Sequence, residues 1–391
     1  MRLAIALRMR SQAISASDRP ATPTIRGRSF GGFVVLEDVR VTNGTFLLTR
    51  PWSPDDSLRG AKRDSAIKRN LENPEREIRR AGDGYVHTYR WSNIAAVLPH
   101  VRIADPDSAG QLPVIETLDV DELEPPFAFR NANGVVRKLG DSVFVDVAHF
   151  DLPASTGKAR GKIWWGSALP IRVDVHVDAD SVSLKDVAWV YETLPREGGG
   201  RTKLHIRNNR ENFYAFEYAL SDMDVRSERS RLQGAMTFVV GNEVLEVRDV
   251  DLLASPVNFD LFRTLAGEPF PVDWQGNLFG RVKGPGGPLT RFVVTESDVT
   301  WRDAHVAGAV SRFSGSGELD ILDPALTNFH GFDVNVASLD LRSIQFLFPE
   351  FPRLGGTVSG VATLDSSWLD GRFSNAHVTH RNGPGVPTRV A

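Results

Sequence analysis

The chain has 391 residues, 41% of them apolar and 24% charged, a composition that folds and is too apolar for disorder. Its 46 basic and 49 acidic side chains leave a net charge of −3, which offers no basic field to nucleic acid or to an anionic membrane surface. With no cysteine, disulfides, thiolate nucleophiles, zinc ribbons and iron–sulfur ligation are excluded together.

Residues 1–30 are polar and irregular, with Pro20, Pro23 and Gly27 interrupting any pattern. Only five apolar residues stand between Arg2 and Arg8, too few for a signal-peptide core or a membrane span. The chain as written shows neither export signal nor anchor, so it is expected to be cytoplasmic or a fragment of a longer protein. From residue 31 the text turns strand-like. Val39 and Val41 precede Asn43-Gly44, and Phe46 and Leu48 follow. Asn-Gly is the strongest short hairpin signal, because a type I′ turn needs positive φ at both central residues. A hairpin would place all four apolar residues on one side; the rival is one continuous strand with a bulge at Gly44. Residues 54–82 are crowded with charge, and Ala66, Ile67, Leu71 and Ile78 are the well-spaced apolar positions. An exposed, mostly helical insertion broken near Pro74 is expected there.

From about residue 112 alternation dominates. Ile171, Val173, Val175 and Val177 alternate with Arg172, Asp174, His176 and Asp178, and Phe332, Val334 and Val336 alternate with Asp333 and Asn335. Period two with one wet and one apolar face is the pattern of antiparallel sheet. A repeat of 80 to 81 residues overlies it: Phe270, Pro271, Trp274, Gly276 and Gly280 align with Phe351, Pro352, Leu354, Gly356 and Gly360. Each copy follows a short apolar, helix-like segment, 259–266 and 342–348; Ser92 to Leu98 and Val187 to Leu194, each before a proline, are looser versions. Helix, proline and Gly-punctuated strands suggest modules stacked along one axis. The expected organisation is an irregular segment 1–30, a first hairpin region 31–111 carrying the insertion 54–82, and a repetitive β region 112–391.

Few side chains fall into patterns that carry chemistry. His377 and His380 lack the Glu and the i,i+4 spacing of a metalloprotease helix, and on a strand their rings face opposite sides. Asp119/Asp121, Asp178/Asp180 and Asp249/Asp251 would each put two carboxylates on one strand face, within reach of acid–base work, although such residues more often mark turns and wet rims. The stretches 198–200 and 284–287 are Gly-rich but lack Gly-Lys-Ser/Thr ordering, and 314–317 lacks the Gly-x-Ser-x-Gly pattern of a nucleophile elbow, so all three are expected to be turns. Gly276-x-x-x-Gly280 and Gly356-x-x-x-Gly360 lie outside any apolar twenty-residue run, which favours close backbone approach on a strand over helix dimerisation. Trp164, Trp165, Trp189, Trp274, Trp301 and Trp368 are assigned to core or apolar-face packing. No catalytic residue, metal site or cofactor is expected, and the chain is read as a non-enzyme.

The phrases Asp303-Ala-x-Val306-x-Gly308-Ala-Val-Ser311, Ser314-Gly-Ser-Gly-Glu-Leu319 and Gly356-Thr-Val-Ser-Gly360-Val-Ala-Thr-Leu364 resemble the AsmA/TamB-like proteins. Val39-Arg-Val-Thr-Asn-Gly-Thr-Phe46 and Val182-Ser-Leu-Lys-Asp-Val-Ala-Trp189 are similar to that group as well. The resemblance implies a long curved sheet, a β-taco groove with apolar residues inside, in a periplasmic protein anchored in the inner membrane. It also implies phospholipid acyl chains as cargo, or an Omp85-type outer-membrane partner in barrel assembly. The chain departs from such proteins in showing no N-terminal anchor.

The resulting expectation is an all-β, mainly antiparallel, elongated curved sheet with a few short helices and one charged, partly helical insertion. Its function is expected to be passive shielding of lipid in the cell envelope, with Val173, Val175, Val177, Phe332, Val334 and Val336 lining the groove. Gly276, Gly280, Gly356, Gly360, Pro271 and Pro352 are the structural repeat positions. The alternative is a β-helical protein that binds or cleaves polysaccharide.

Overall fold

The computed structural model describes residues 34–54, 58–74, 76–104, 110–123, 127–166, 169–188, 193–241, 244–267, 270, 272–322, 327–367, 372–381 and 388–390. These are mostly antiparallel β, as the period-two alternation requires, with four short helices. The irregular segment 1–30, Pro271, Trp189 and Trp368 lie outside the described residues. Two compact units divide the chain, Met1–Pro153 with Lys158–Lys162 and Ala154–Gly157 with Ile163–Ala391.

The first unit contains β1 (Val34–Trp52), α1 (Gly60–Glu72), β2 (Ile78–Ala81), β3 (Gly84–Ala104), β4 (Leu112–Glu122), β5 (Phe127–Leu139) and β6 (Ser142–Asp151). Strand β1 pairs antiparallel with β3, β2 with β3, and β3, β4, β5 and β6 pair in sequence. Helix α1 is the charged insertion. It buries no residue and ends at Asn73, as the following Pro74 requires.

Two sequence expectations fail in this unit for one reason. Asn43-Gly44 makes no hairpin: β1 runs through it, paired with β3 along its whole length, with register shifts on either side of Gly44. Ser92 to Leu98 is not helical but lies inside β3. Asn43 and Asn93 both sit at φ near +50°, a left-handed conformation that Asn tolerates and that a bulge uses to insert one residue into a strand. The insertion switches which alternate residues face the apolar side. Val39 and Val41 precede the bulge on one parity, and Phe46 and Leu48 follow on the other. A parity switch around Asn mimics a turn in β1 and a helical spacing in β3.

After β7 (Thr156–Gly166), the second unit continues with β8 (Leu169–Ser183), α2 (Leu184–Val187), β9 (Gly199–Asn208), β10 (Phe216–Ser227), β11 (Ser230–Gly241) and β12 (Val244–Asn258). Then come α3 (Phe259–Ala266), β13 (Asn277–Pro288), β14 (Phe292–Arg302), β15 (Val310–Asp320), β16 (Asn328–Asp340), α4 (Leu341–Leu347), β17 (Thr357–Leu364), β18 (Phe373–Arg381) and β19 (Thr388–Val390). From β8 to β19 every strand pairs antiparallel with the next.

The repeat has three copies here, each a strand, a second strand, a short helix and two more strands. A buried serine just before or at the start of the first strand of each copy, Ser155, Ser230 or Ser311, accepts a hydrogen bond from the backbone N–H of the last residue before the helix. Those last residues are Ser183, Asn258 and Asp340. The first helical residue, Leu184, Phe259 or Leu341, donates its N–H to the carbonyl of Gly198, Gly276 or Gly356. All three glycines have φ between +90° and +109°. In the second and third copies the N-cap side chain also works: Asn258 accepts from Asp260 N–H and Asp340 from Arg342 N–H, satisfying donors that a helix start leaves free.

Two clusters supply the core of this unit. Val250, Phe292, Val294 and Phe332 form one, and Val272, Trp301 and Leu347 the other. Trp301 is 2% exposed and donates its indole N–H to Gln275 O at 2.8 Å, so its one polar group is not orphaned.

Candidate functional site

One row of apolar residues and glycines crosses the second unit without a polar interruption. Val182 faces Gly200, Gly200 faces Val225, Val225 faces Leu232, Leu232 faces Ala254 and Ala254 faces Gly280. The row continues through Val299, Phe313, Val336, Gly360 and Val378. It spans eleven strands, roughly 48 Å at about 4.8 Å per step. Every residue in it is partly buried, and none is sealed.

Two shorter rows lie beyond the bulges. Val177 faces Leu204, then Leu220 and Met236; Val175 faces Ile206, then Tyr218, Phe238 and Val247. These residues too are partly buried. The first core cluster packs against Met236 and Val247 at one end of these rows, whereas Val175, Val177, Leu204, Ile206, Tyr218, Leu220 and Phe238 are not among the residues packed against either cluster.

Bulges keep this surface on one side. Along β10, Phe216, Tyr218 and Leu220 precede Asp222, and Met223 and Val225 follow it on the other parity; along β12, Leu245 and Val247 precede Asp249, and Val250, Leu252 and Ala254 follow. Asp222 and Asp249 have φ of 50° and 53°, and the ladder shifts register between Leu220 and Met223. Without the extra residue, half of each strand would turn its apolar side chains to water. Asp119, Asp178 and Asp180 stand at or beside such shifts.

Glycines hold the strands close. An added Cβ at Gly200, Gly280 or Gly360 would lie 2.0, 1.9 or 2.1 Å from the carbonyl oxygen of Asp224, Asp298 or His377. Gly276 is placed the same way, 2.0 Å from Arg302 O. The stretches expected to be turns are strand for the same reason: Gly199 and Gly200 open β9, Gly284 to Gly287 lie in β13, and Gly315 and Gly317 lie in β15 against Phe332.

Of the residues singled out by alternation, Val173, Val175 and Val177 are partly buried on β8, while Phe332 is buried and Val334 packs against it in the first core cluster. Val336 belongs to the long row. Pro352 is exposed and its carbonyl accepts from Leu354 N–H. Leu204, Ile206, Tyr218, Leu220, Met236 and Phe238 were not singled out. The signal that finds them is the parity switch around Asp222, read together with glycines at 200, 280 and 360.

The opposite face is ionic. Asp251 accepts a bidentate pair from Arg281 at 2.6 Å, Asp224 one from Arg231, and Asp222 a bond from Lys203 Nζ at 2.6 Å. These hydrogen bonds hold all three carboxyls below their usual range. Carboxylates stabilised in the charged form are poor acids, so they are structural pairs. In the first unit Asn93 donates to Asp121 and Asn131 to Asp151, tying bulge to neighbouring strand. His380 Nε2 lies 3.0 Å from Gly355 O and does not converge with His377.

No described helix is long and apolar enough to cross a membrane. Comparison with protein families, with curated proteins and with solved structures returns no match.

Proposed function

We propose that this chain shelters the acyl chains of phospholipid on the apolar face of its second unit, without catalysis, as a lipid carrier of the cell envelope. The observation that carries this reading is the unbroken apolar row of eleven strands whose members are all partly buried and none sealed. A protein using that face only for its own core would bury it as thoroughly as Trp301 or Val294. Shielding one methylene from water contributes about 0.8 kcal/mol, so a sixteen-carbon tail is worth roughly 12 kcal/mol to whatever covers it. The stretch from Val175 to Phe238 is the favoured bay, because it is apolar and, apart from Met236, is not packed against either core cluster.

The polysaccharide alternative requires a β-helix, whose coils stack in parallel, whereas the described pairings of this unit are antiparallel.

The test is lipid extraction from the purified chain followed by mass spectrometry. The proposal expects phospholipid with the parent protein and much less with Leu204→Asp or Leu220→Asp, each placing a charge inside the bay. Parent protein free of phospholipid after expression in a Gram-negative host would overturn it.

A further inference from the structure

We propose that Asp174, His176 and His205 form a binding site for a single divalent transition-metal ion on the solvent face of β8 and β9. The three offer one ligand atom each, all within 4.8 Å of one another. Asp174 and His176 are two residues apart on β8, so their side chains leave the strand on the same side. His205 is the direct cross-strand partner of His176.

The two imidazoles stack, with centroids 3.9 Å apart and planes 13° from parallel. Both turn an Nε2 toward one oxygen of Asp174, at 2.8 Å from His205 and 3.7 Å from His176. A tetrahedral zinc with bonds of about 2.0–2.2 Å holds its ligand atoms roughly 3.3 Å apart. Closing on one ion requires the two stacked rings to tilt so that their Nε2 lone pairs converge, and the exposed His176 and Asp174 are free of surrounding packing to do so.

The surroundings leave room for an ion. The cations on this face are engaged elsewhere: Arg207, opposite Asp174, bonds Glu217, Lys203 bonds Asp222, and Arg172 lies over the ring of Phe213. On β10 the residue opposite His205 is Ala219, whose methyl group obstructs nothing. Two imidazoles and one carboxylate suit zinc, copper(II), nickel or iron(II), with the remaining positions open to water or a ligand. The opposite face of the same two strands carries Val175, Val177, Leu204 and Ile206, so a bound ion would clamp the strands that back the apolar bay.

The test is zinc alone, added to the metal-stripped full chain and followed by calorimetry and by metal content after dialysis. The site predicts saturable one-to-one uptake, weakened at least about tenfold in His176→Gln and in His205→Gln. With cobalt(II) in place of zinc, the visible absorption of a four- or five-coordinate ion should appear in the parent and vanish in both variants. Because both rings lie on the wet face, the variants should melt with the parent when no metal is present. If one does not, Asp174→Asn removes the third ligand while leaving the stacked pair, and it should weaken uptake likewise. Absence of saturable uptake by the parent, or unchanged uptake by the His176→Gln/His205→Gln double variant, would overturn the proposal.

Discussion

Replacing Gly280 by alanine tests how the strands of the second unit are held together. The new Cβ would lie 1.9 Å from Asp298 O and 2.9 Å from Val299 Cα, both backbone atoms of β14. Ordinary contact requires the strands to part by more than 1 Å, and no side chain can yield in their place. Overpacking of this kind costs about 1–3 kcal/mol. Gly280 also has φ of 134°, outside the range of an L-residue, which adds a similar amount. The sum, about 2–6 kcal/mol, is local in a repetitive sheet, where each module leans only on its neighbours. Amide hydrogen exchange is therefore the assay. Protection of β13 and β14 should fall at least about thirtyfold, at 1.4 kcal/mol per factor of ten. Gly308→Ala is the control, because Gly308 has φ of 78° but nothing within 4 Å of an added Cβ. Its change should show the backbone cost alone. Equal loss of protection in the two variants would refute the close-approach argument.

Three further substitutions test other contacts of the second unit. His305 is stacked on Phe346 of α4 and lies 3.1 Å from both Asp303 and Asp273. Burial is the largest single influence and pulls its pKa down, but the two carboxylates together lift it above the usual imidazole value. A raised folded-state pKa contributes stability that is fully present below about pH 6.5 and is lost as pH rises through the elevated value. The melting difference between parent and His305→Gln should accordingly be widest in mild acid and narrow in alkali, and a difference that widens with pH would contradict it. Ser311→Ala should cost about 1–3 kcal/mol, because it orphans the buried N–H of Asp340. Ser230→Ala should cost the same at Asn258; thermal melts of both variants check the equivalence of the modules.

Much of the fold was legible from the sequence, because alternation is a direct projection of sheet geometry. Val173 to Val177 and Phe332 to Val336 announced strands with one wet face, and the segments 259–266 and 342–348 announced α3 and α4 within a residue. The bulges were not legible. Asn43-Gly44 carries the local chemistry of a turn, and only the partner strand β3, some fifty residues away, decides that the chain runs straight through it. The Gly-rich stretches misled in the same way, since glycine serves a turn through its φ and a crowded sheet through its missing Cβ. The first module was only loosely marked, by Val187 to Leu194 before Pro195, because α2 is a single turn that ends where that segment begins. The serine-to-backbone bonds of Ser155, Ser230 and Ser311 define the repeat more sharply than its apolar residues do. The cluster of Asp174, His176 and His205 was half legible, since i,i+2 spacing pairs the first two, but the cross-strand register that brings in His205 is a tertiary fact.

Quenching by brominated acyl chains separates the two faces of one strand directly. A fluorescent label at Leu220, on the apolar side of β10, and another at Ser221, on the wet side, differ by a single residue. With phospholipid brominated along its tails, the Leu220 label should be quenched and the Ser221 label should keep its emission. Equal quenching at both positions, or none at either with lipid in excess, would contradict a sheet that carries acyl chains on its apolar face.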